Sequence, residues 1–300
     1  MKVAYLILAH NTPNHTKRLI RALDSPNASF VIHVDRKSDI RPFRDGMSQG
    51  NVTFLDERFA VYWGEFPIIP ATIRLIEEGL RHKPDYLCLL SGSDYPIRRP
   101  AYIERFLSQS RGREFISLVE IPCEEVGKPI GRIADYWLQT PYNNVLLRRT
   151  INRLNHLNRR LGVRRNYTKR LDGLVPYAGS TWWALTADAC KHILDFVRTR
   201  PDVMQFMRNV PNPDESFFQI VIGNSPFAPR VHRNLTFTDW TRPECLPALI
   251  DMEHLQTFLN EEIVIKDDRY GRSEVLFARK FPDDSEELTN FIDSQFLERL

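Results

Sequence analysis

Seven residues near the start of the chain, Val3-Ala4-Tyr5-Leu6-Ile7-Leu8-Ala9, form an apolar run that stops at His10-Asn11. A continuous run of that length suits a strand buried on both faces, and such strands belong to parallel sheets covered by helices on each side. The pattern then repeats. A turn with Pro13 and Asn14 leads into helical spacing from about His15 to Leu23, with Leu19, Ile20 and Leu23 on one side. Ser29–Val34 predicts a second strand ending at Asp35, and Val52–Leu55 a short third. Phe66–His82 predicts a helix through Ile69, Ile73, Ile76 and Leu80, and Tyr86–Leu90 a fourth strand ending at Ser91-Gly92-Ser93-Asp94. Strand, helix, strand at this spacing requires crossovers and therefore a mostly parallel α/β sheet.

Ile116–Val119 and Gly179–Leu185 read as further strands, and Glu274–Phe281 as a strand or turn. Helices are expected over Ala187–Arg198, from near Pro213 to Ile222, and over Ser285–Leu300. No repeat and no low-complexity linker divides the 300 residues, so one domain is expected. Its residues 1–120, where strand and helix alternate, and 121–300, where the pattern loosens, are expected to be its two halves.

The N-terminal run is too short, and lacks the small-residue cleavage site, for a secretory signal. No stretch approaches the roughly 20 apolar residues of a membrane span, so a reducing, cytoplasmic setting is expected. The four cysteines, Cys88, Cys123, Cys190 and Cys245, form no CxxC pair, and Cys88 reads as a buried reduced thiol in a strand. A net charge of +3 does not make nucleic acid the expected partner. The charge is nevertheless uneven. From Tyr136 to Leu171 there is no acid, while Arg148, Arg149, Arg153, Arg159, Arg160, Arg164, Arg165, Lys169 and Arg170 supply nine cations. A helix from about Val145 to Leu161 would set Val145, Leu146, Ile151, Leu154 and Leu157 among them. It reads either as a solvated helix beside a cleft or as a peripheral contact of 145–170 with an anionic membrane.

Ligands of open α/β sheets bind beyond the carboxyl ends of the strands. His10-Asn11, Asp35-Arg36-Lys37 and Ser91 to Asp94 all fall there. Three constellations carry chemistry. In Pro213-Asp214-Glu215, Asp214 reads as an acid at a helix N-terminus, favoured by the dipole. Glu215, next to Phe217 and Phe218, reads as a carboxylate able to take a proton from a hydroxyl. Arg279-Lys280, flanked by apolar residues, reads as either a structural salt bridge or a cationic seat for a diphosphate leaving group. Gly179-Ser180 before Trp182-Trp183, and Asp239-Trp240, suit a sugar's hydroxyls and apolar face, with one of the two adjacent indoles given to the core because strand alternation separates them. The Asp-x-Asp of metal-dependent transferases is missing after the fourth strand. Asp35 with Asp39 is the nearest substitute, and no metal is expected.

Taken in order, these pieces resemble the core-2/I-branching glycosyltransferase family, which includes β-1,6-N-acetylglucosaminyltransferases and protein xylosyltransferases. The likeness rests on Ala4–His10, Ile32–Lys37, Val61-Tyr62-Trp63-Gly64, Leu89–Ile97, Gly179-Ser180, Pro213-Asp214-Glu215 and Leu276–Phe281, in family order over roughly 280 residues. It implies a GT-A-type, Rossmann-like fold, inversion at the anomeric carbon, a UDP-sugar donor and no metal ion. It makes Glu215 the general base, Lys280 the diphosphate-binding cation and Asp35 a nucleoside contact. Ala9, His10, Trp63, Ser91, Asp94 and Arg279 join the donor side. Glu120 and Lys128 match acceptor-contacting positions, with Arg132 one place out of step. Gly179, Ser180, Trp182, Asp239 and Trp240 complete the acceptor side. The family's second phosphate-binding arginine has no counterpart at its expected place, Arg242 being the nearest. No equivalent of the animal enzymes' membrane anchor or cysteine framework is seen, so a free-standing catalytic domain is expected. Its acceptor would be a glycan or lipid-linked saccharide. A non-catalytic carbohydrate-binding protein and a metal-dependent GT-A transferase are the rival readings.

Overall fold

A computed structural model describes residues 1–47, 49–140, 144–242, 247–260 and 265–295. Cys245 and the last five residues of the expected closing helix lie outside them. The strands are β1 (Val3–Ala9), β2 (Ala28–Val34), β3 (Val52–Phe54), β4 (Tyr86–Ser91), β5 (Asp94–Pro96), β6 (Glu114–Glu120), β7 (Tyr177–Thr186), β8 (Val231–His232), β9 (Thr236–Thr238), β10 (Ile265–Asp268), β11 (Gly271–Glu274) and β12 (Phe277–Arg279). Seven of them make the central sheet in the order β3-β2-β1-β4-β7-β6-β8. The β3-β2-β1-β4 block is parallel, and β7 runs antiparallel to both its neighbours.

The β1 side chains divide between two cores, which is why the run is apolar without alternation. Val3, Tyr5, Ile7 and Ala9 join one cluster, and Ala4 and Leu6 the other. Each large apolar side chain so buried contributes roughly 1.5–3 kcal/mol. The helix Pro13–Leu23 covers the first face through Leu19, Ile20 and Leu23. The helix Ile68–Arg81 covers the second through Ile69, Ile73 and Ile76. It lies so close that a Cβ on Gly79 would stand 2.7 Å from a Leu6 methyl. The helices Ala187–Thr199 and Phe217–Gly223 extend that second layer.

The chain's later segments return to its earlier ones. β7 enters the sheet beside β4, and β12 pairs with β5 and β9 in a small second sheet. Residues from both expected halves thus build the same sheets. The expected 213–222 helix is in fact two pieces, a 3₁₀ turn Pro213–Glu215 and the helix Phe217–Gly223, separated at Ser216. The Glu274–Phe281 segment divides into the ends of β11 and β12. Elements that the sequence reading did not expect also appear, among them the helices Pro100–Gln109 and Pro201–Met207, each begun by its proline, the helix Met252–Asn260 and the β10-β11 hairpin.

Against β6, the register of β7 slips between Gly179, opposite Leu118, and Trp183, opposite Ile116. Ser180, Thr181 and Trp182 therefore bulge opposite the single residue Ser117. The bulge brings β7 backbone onto β6, and a Cβ on Gly179 would lie 1.7 Å from the Ser117 carbonyl oxygen. Gly179, expected to let a sugar approach, instead lets one strand approach another. Gly179→Ala should therefore destabilise the fold by roughly 3 kcal/mol, the upper end of overpacking costs. Urea unfolding would show this as a lowered midpoint, and an unchanged midpoint would contradict the close approach.

Candidate active site

The polar clusters at the strand ends do meet on one rim. The Asp35 amide donates to the Ala9 carbonyl at 2.8 Å, tying the end of β2 to that of β1. Asp35 is buried, and its carboxylate accepts from the Lys37 amide at 2.8 Å, the Lys37 ammonium at 2.7 Å and the Val61 amide at 3.1 Å. This draws the Val61–Gly64 loop to the rim. Desolvation first, and next the charge of Lys280, lower the His10 imidazole below its usual value, so His10 is neutral at neutral pH. Lys280 itself makes no ion pair or side-chain hydrogen bond among the described residues. A cation beside His10, without a partner there, is available to an anion.

Its neighbour behaves differently. Arg279 donates to Asp94 at 3.1 Å and lies over the Trp182 ring at 4.4 Å. Asp94 is fully buried and also accepts from the Ser91 hydroxyl at 2.5 Å and the Ser91 amide at 3.0 Å. Burial pushes the Asp94 carboxyl up and the Arg279 guanidinium down, each countered by the other's charge. Arginine keeps its proton in proteins, so the pair stays ionic. Of the two readings for Arg279-Lys280, Arg279 takes the salt bridge and Lys280 the open position. Ser91 and Asp94, expected to face a donor, are consumed in supporting Arg279. Trp182 is covered by the same guanidinium, so it is no open platform for an acceptor. Trp182 and Trp183 also join the same buried cluster, because the bulge breaks the alternation that would have parted them.

Glu215 stands at the end of the 3₁₀ turn. Its Oε2 accepts from Lys128 Nζ at 2.5 Å and Arg132 NH1 at 2.7 Å, while Oε1 accepts no hydrogen bond from the described residues. Arg132, expected one place out of step with an acceptor-contacting position, pairs with Glu215. The short helical turn Gly131–Ala134 carries it to the carboxylate. Lys128 is buried, which lowers its basicity despite Glu215. Asp214 accepts from the Thr181 hydroxyl at 2.6 Å. Desolvation of the Asp214 carboxyl, deeper than the half-buried residue as a whole, and then the Glu215 charge raise it to about 6. The turn is set by Asn212, whose backbone is left-handed at φ +46° and whose amide donates to the Gly64 carbonyl at 3.1 Å. A Cβ on Gly64 would meet the Asn212 side chain at 2.5 Å. The Val61–Gly64 loop thus touches Asp35 at one end and the Glu215 turn at the other.

The remaining expected residues, Trp63 of the donor side and the rest of the acceptor side, make no hydrogen bond or ion pair with Glu215 or Lys280 among the described residues. Glu120 is exposed at the end of β6, and Trp63 and Trp240 are 87% and 62% exposed. Ser180 is held by Asn234, and its carbonyl by Gln219 at 2.6 Å. Asp239 binds the amide and hydroxyl of Thr241 and the His254 ring. Although burial opposes its charge, those Thr241 and His254 bonds hold Asp239 at about 2. Arg242 does not substitute for the second phosphate arginine: it pairs with Asp251 at 2.6 Å, Glu253 at 3.0 Å and Asp239 at 3.7 Å.

Sequence reading missed the roles of Thr181, Asn212 and Tyr270. Burial first, and then the Glu215 charge, raise the Tyr270 phenol, which places it in the field of the same carboxylate. Only Asn212 carried a signal, the Asn-Pro pair of a turn.

The raised Asp214 implies a stability effect of definite sign. Its native carboxyl binds protons more tightly than the unfolded one, whose value is near 3.8. Its ionisation therefore opposes folding above about pH 6, and the penalty disappears as pH falls below about 4. Asp214→Asn, which keeps an acceptor for Thr181, should raise the melting temperature at pH 8 and lose that advantage at pH 4. An unchanged difference between the two pH values would contradict a raised native value.

With this geometry in hand, comparison with known proteins is informative. The model of the Core-2/I-Branching enzyme family matches residues 3–263. Xylosyltransferase 2 of Rattus norvegicus is 27% identical over 255 residues, covering 81% of this chain and 27% of the relative. Xylosyltransferase oxt of Drosophila pseudoobscura pseudoobscura is 26% identical over 259 residues, with the same coverage. The chain thus spans about a quarter of the length of the curated relatives it matches. Among solved structures, the galactosyltransferase LgtC is similar at a TM-score of 0.38 with 12% identity, over 99% of this chain and 97% of LgtC. From the ordered match across nearly all of its length, this chain belongs to the Core-2/I-Branching enzyme family.

Proposed function

We propose that the chain is an inverting, metal-independent glycosyltransferase of GT-A type. It moves a sugar, GlcNAc or xylose, from a UDP-sugar to a hydroxyl of a glycan or lipid-linked acceptor and forms a β-linkage. One observation carries the reading. A carboxylate with one oxygen fixed by two cations and the other open stands across a short span of β7 from a lysine without a partner among the described residues.

In this mechanism Lys128 and Arg132 hold Glu215 through Oε2 and leave Oε1 open. Oε1 takes the proton from the acceptor hydroxyl as its oxygen attacks the anomeric carbon. The bond to the diphosphate breaks on the opposite face, which inverts the centre. Lys280 balances the charge that leaves, and Arg279, fixed by Asp94, adds a positive field behind it. Asp35, with Lys37 and the Val61–Gly64 loop, lines the nucleoside side. Supporting metal independence, the acid at the end of β4 is already neutralised by Arg279. A carbohydrate-binding protein without catalysis would have no use for an open carboxylate oxygen on Glu215 together with a lysine that has no partner among the described residues.

Turnover with a panel of UDP-sugars, measured with and without EDTA, tests the reading. Glu215→Gln should lower kcat by about 10²–10⁴ while UDP binding persists. Lys280→Ala should weaken UDP binding roughly tenfold or more, as expected on losing a charge-assisted contact. Wild-type rates should be unchanged by EDTA. Near-normal turnover of Glu215→Gln would refute its role as base, and activity abolished by EDTA and restored by manganese would refute metal independence.

A further inference from the structure

The helix Val145–Arg160 is capped by Asn144, whose side chain accepts from the amides of Leu146 and Leu147 at 3.0 and 3.1 Å. Only Asn155 of this helix is buried, bonded through its amide to the backbone of Leu138. Arg148, over the Tyr62 ring, and Arg159, paired with Asp135, add a cation–π contact and an ion pair to the body. Ile151 and Asn158 beside Asn155 are half-buried; the rest of the surface is exposed and is not of ordinary composition. Leu146 is 74% exposed, Leu161 68% and Leu157 49%, and Leu154 stands out with them.

At 100° per residue, Leu146, Leu157, Leu161 and Leu154 fall within an arc of about 80°. Arg149, Arg160 and Arg153 fall within about 40° immediately beside it. The middle of these two stripes lies opposite Asn155, so the helix presents both to solvent. Arg149, Arg153 and Arg160 make no ion pair among the described residues, and neither do Arg164, Lys169 and Arg170 just beyond. A solvated helix has no need of four projecting leucines. A nucleic-acid contact would use the arginines and leave the leucines without a role. A leucine stripe bordered by arginines suits the boundary between lipid headgroups and acyl chains, where the apolar stripe enters about 5–10 Å and the cations meet anionic phosphate. Trp63, next to the Tyr62 that supports Arg148, offers an exposed indole near the start of the helix, the residue type favoured at that boundary.

We infer that Val145–Leu161 docks this protein in the plane of an anionic phospholipid surface, its leucines in the interface and its arginines on lipid phosphates. The inference stands apart from the reaction chemistry, since no residue of Val145–Leu161 belongs to the Glu215, Lys280 or Asp35 clusters, and Trp63, in the loop given to the nucleoside side, is left unchanged in its test.

Flotation of the full chain with vesicles tests it, using phosphatidylcholine alone or with ~30 mol% phosphatidylglycerol at about 0.15 M salt. The wild type should float with anionic vesicles and remain below neutral ones. Arg149→Gln, Arg153→Gln and Arg160→Gln together should lower partitioning on the order of a hundredfold. Leu146→Ser with Leu157→Ser should lower it at least about tenfold. Both variants alter exposed side chains and should keep the wild-type melting temperature. Wild type that stays below both vesicle types overturns the inference. So does a leucine variant that floats like wild type, which would mean a purely electrostatic surface of the kind nucleic acid uses. A wild-type dimer that the leucine variant converts to a monomer, without flotation, would assign the face to a second copy of the chain.

Discussion

Two consecutive residues of one strand hold the candidate site together. Thr181 donates its hydroxyl to Asp214, next to Glu215, and Trp182 lies under Arg279, next to Lys280. Both depend on the β7 bulge, which places Ser180, Thr181 and Trp182 against the single residue Ser117. A regular strand at this position would send successive side chains to opposite faces and part the two clusters. The bulge in turn depends on Gly179, because no residue with a Cβ fits against the Ser117 carbonyl. A backbone irregularity thus sets the spacing between the proposed base and the proposed phosphate cation.

Around that spacer the charges are balanced in two different ways. Asp94 and Arg279 neutralise each other in a buried pair, which fixes a guanidinium in place and leaves it little freedom to bind anything else. Glu215 is held by two cations but on one oxygen only, and Lys280 by none among the described residues. Fixed groups define the geometry, while the two groups with open valence are those to which chemistry is assigned. The same division holds at Asp239. Its full set of bonds to Thr241 and His254, together with Arg242's three acidic partners, marks that corner as a structural brace.

The sheet was legible because its cause is local. Continuous apolar runs at β1, β2 and β4, with helical spacing between them, leave one class of fold able to bury both strand faces. Polar residues just past those runs marked the rim for the same reason. What escaped was decided by long-range contact. No pattern in Gly179-Ser180-Thr181-Trp182 announces a bulge, so a glycine fitted to a neighbouring strand read as one fitted to a ligand. The pairing of Arg132 with Glu215 escaped because sequence spacing counts residues, whereas a short helical turn sets where the guanidinium points. The break at Ser216 followed from Asn212 taking a left-handed backbone against Gly64, a contact spanning almost 150 residues of chain.

A crystal structure with UDP bound tests the central claim most directly. The account predicts the β-phosphate against Lys280 Nζ, the uracil and ribose along Asp35 and the Val61–Gly64 loop, and Glu215 Oε1 open toward the face where an acceptor would enter. A nucleotide seated away from Lys280, or one whose phosphates bind Lys128 and Arg132 and so close off Glu215, would contradict it.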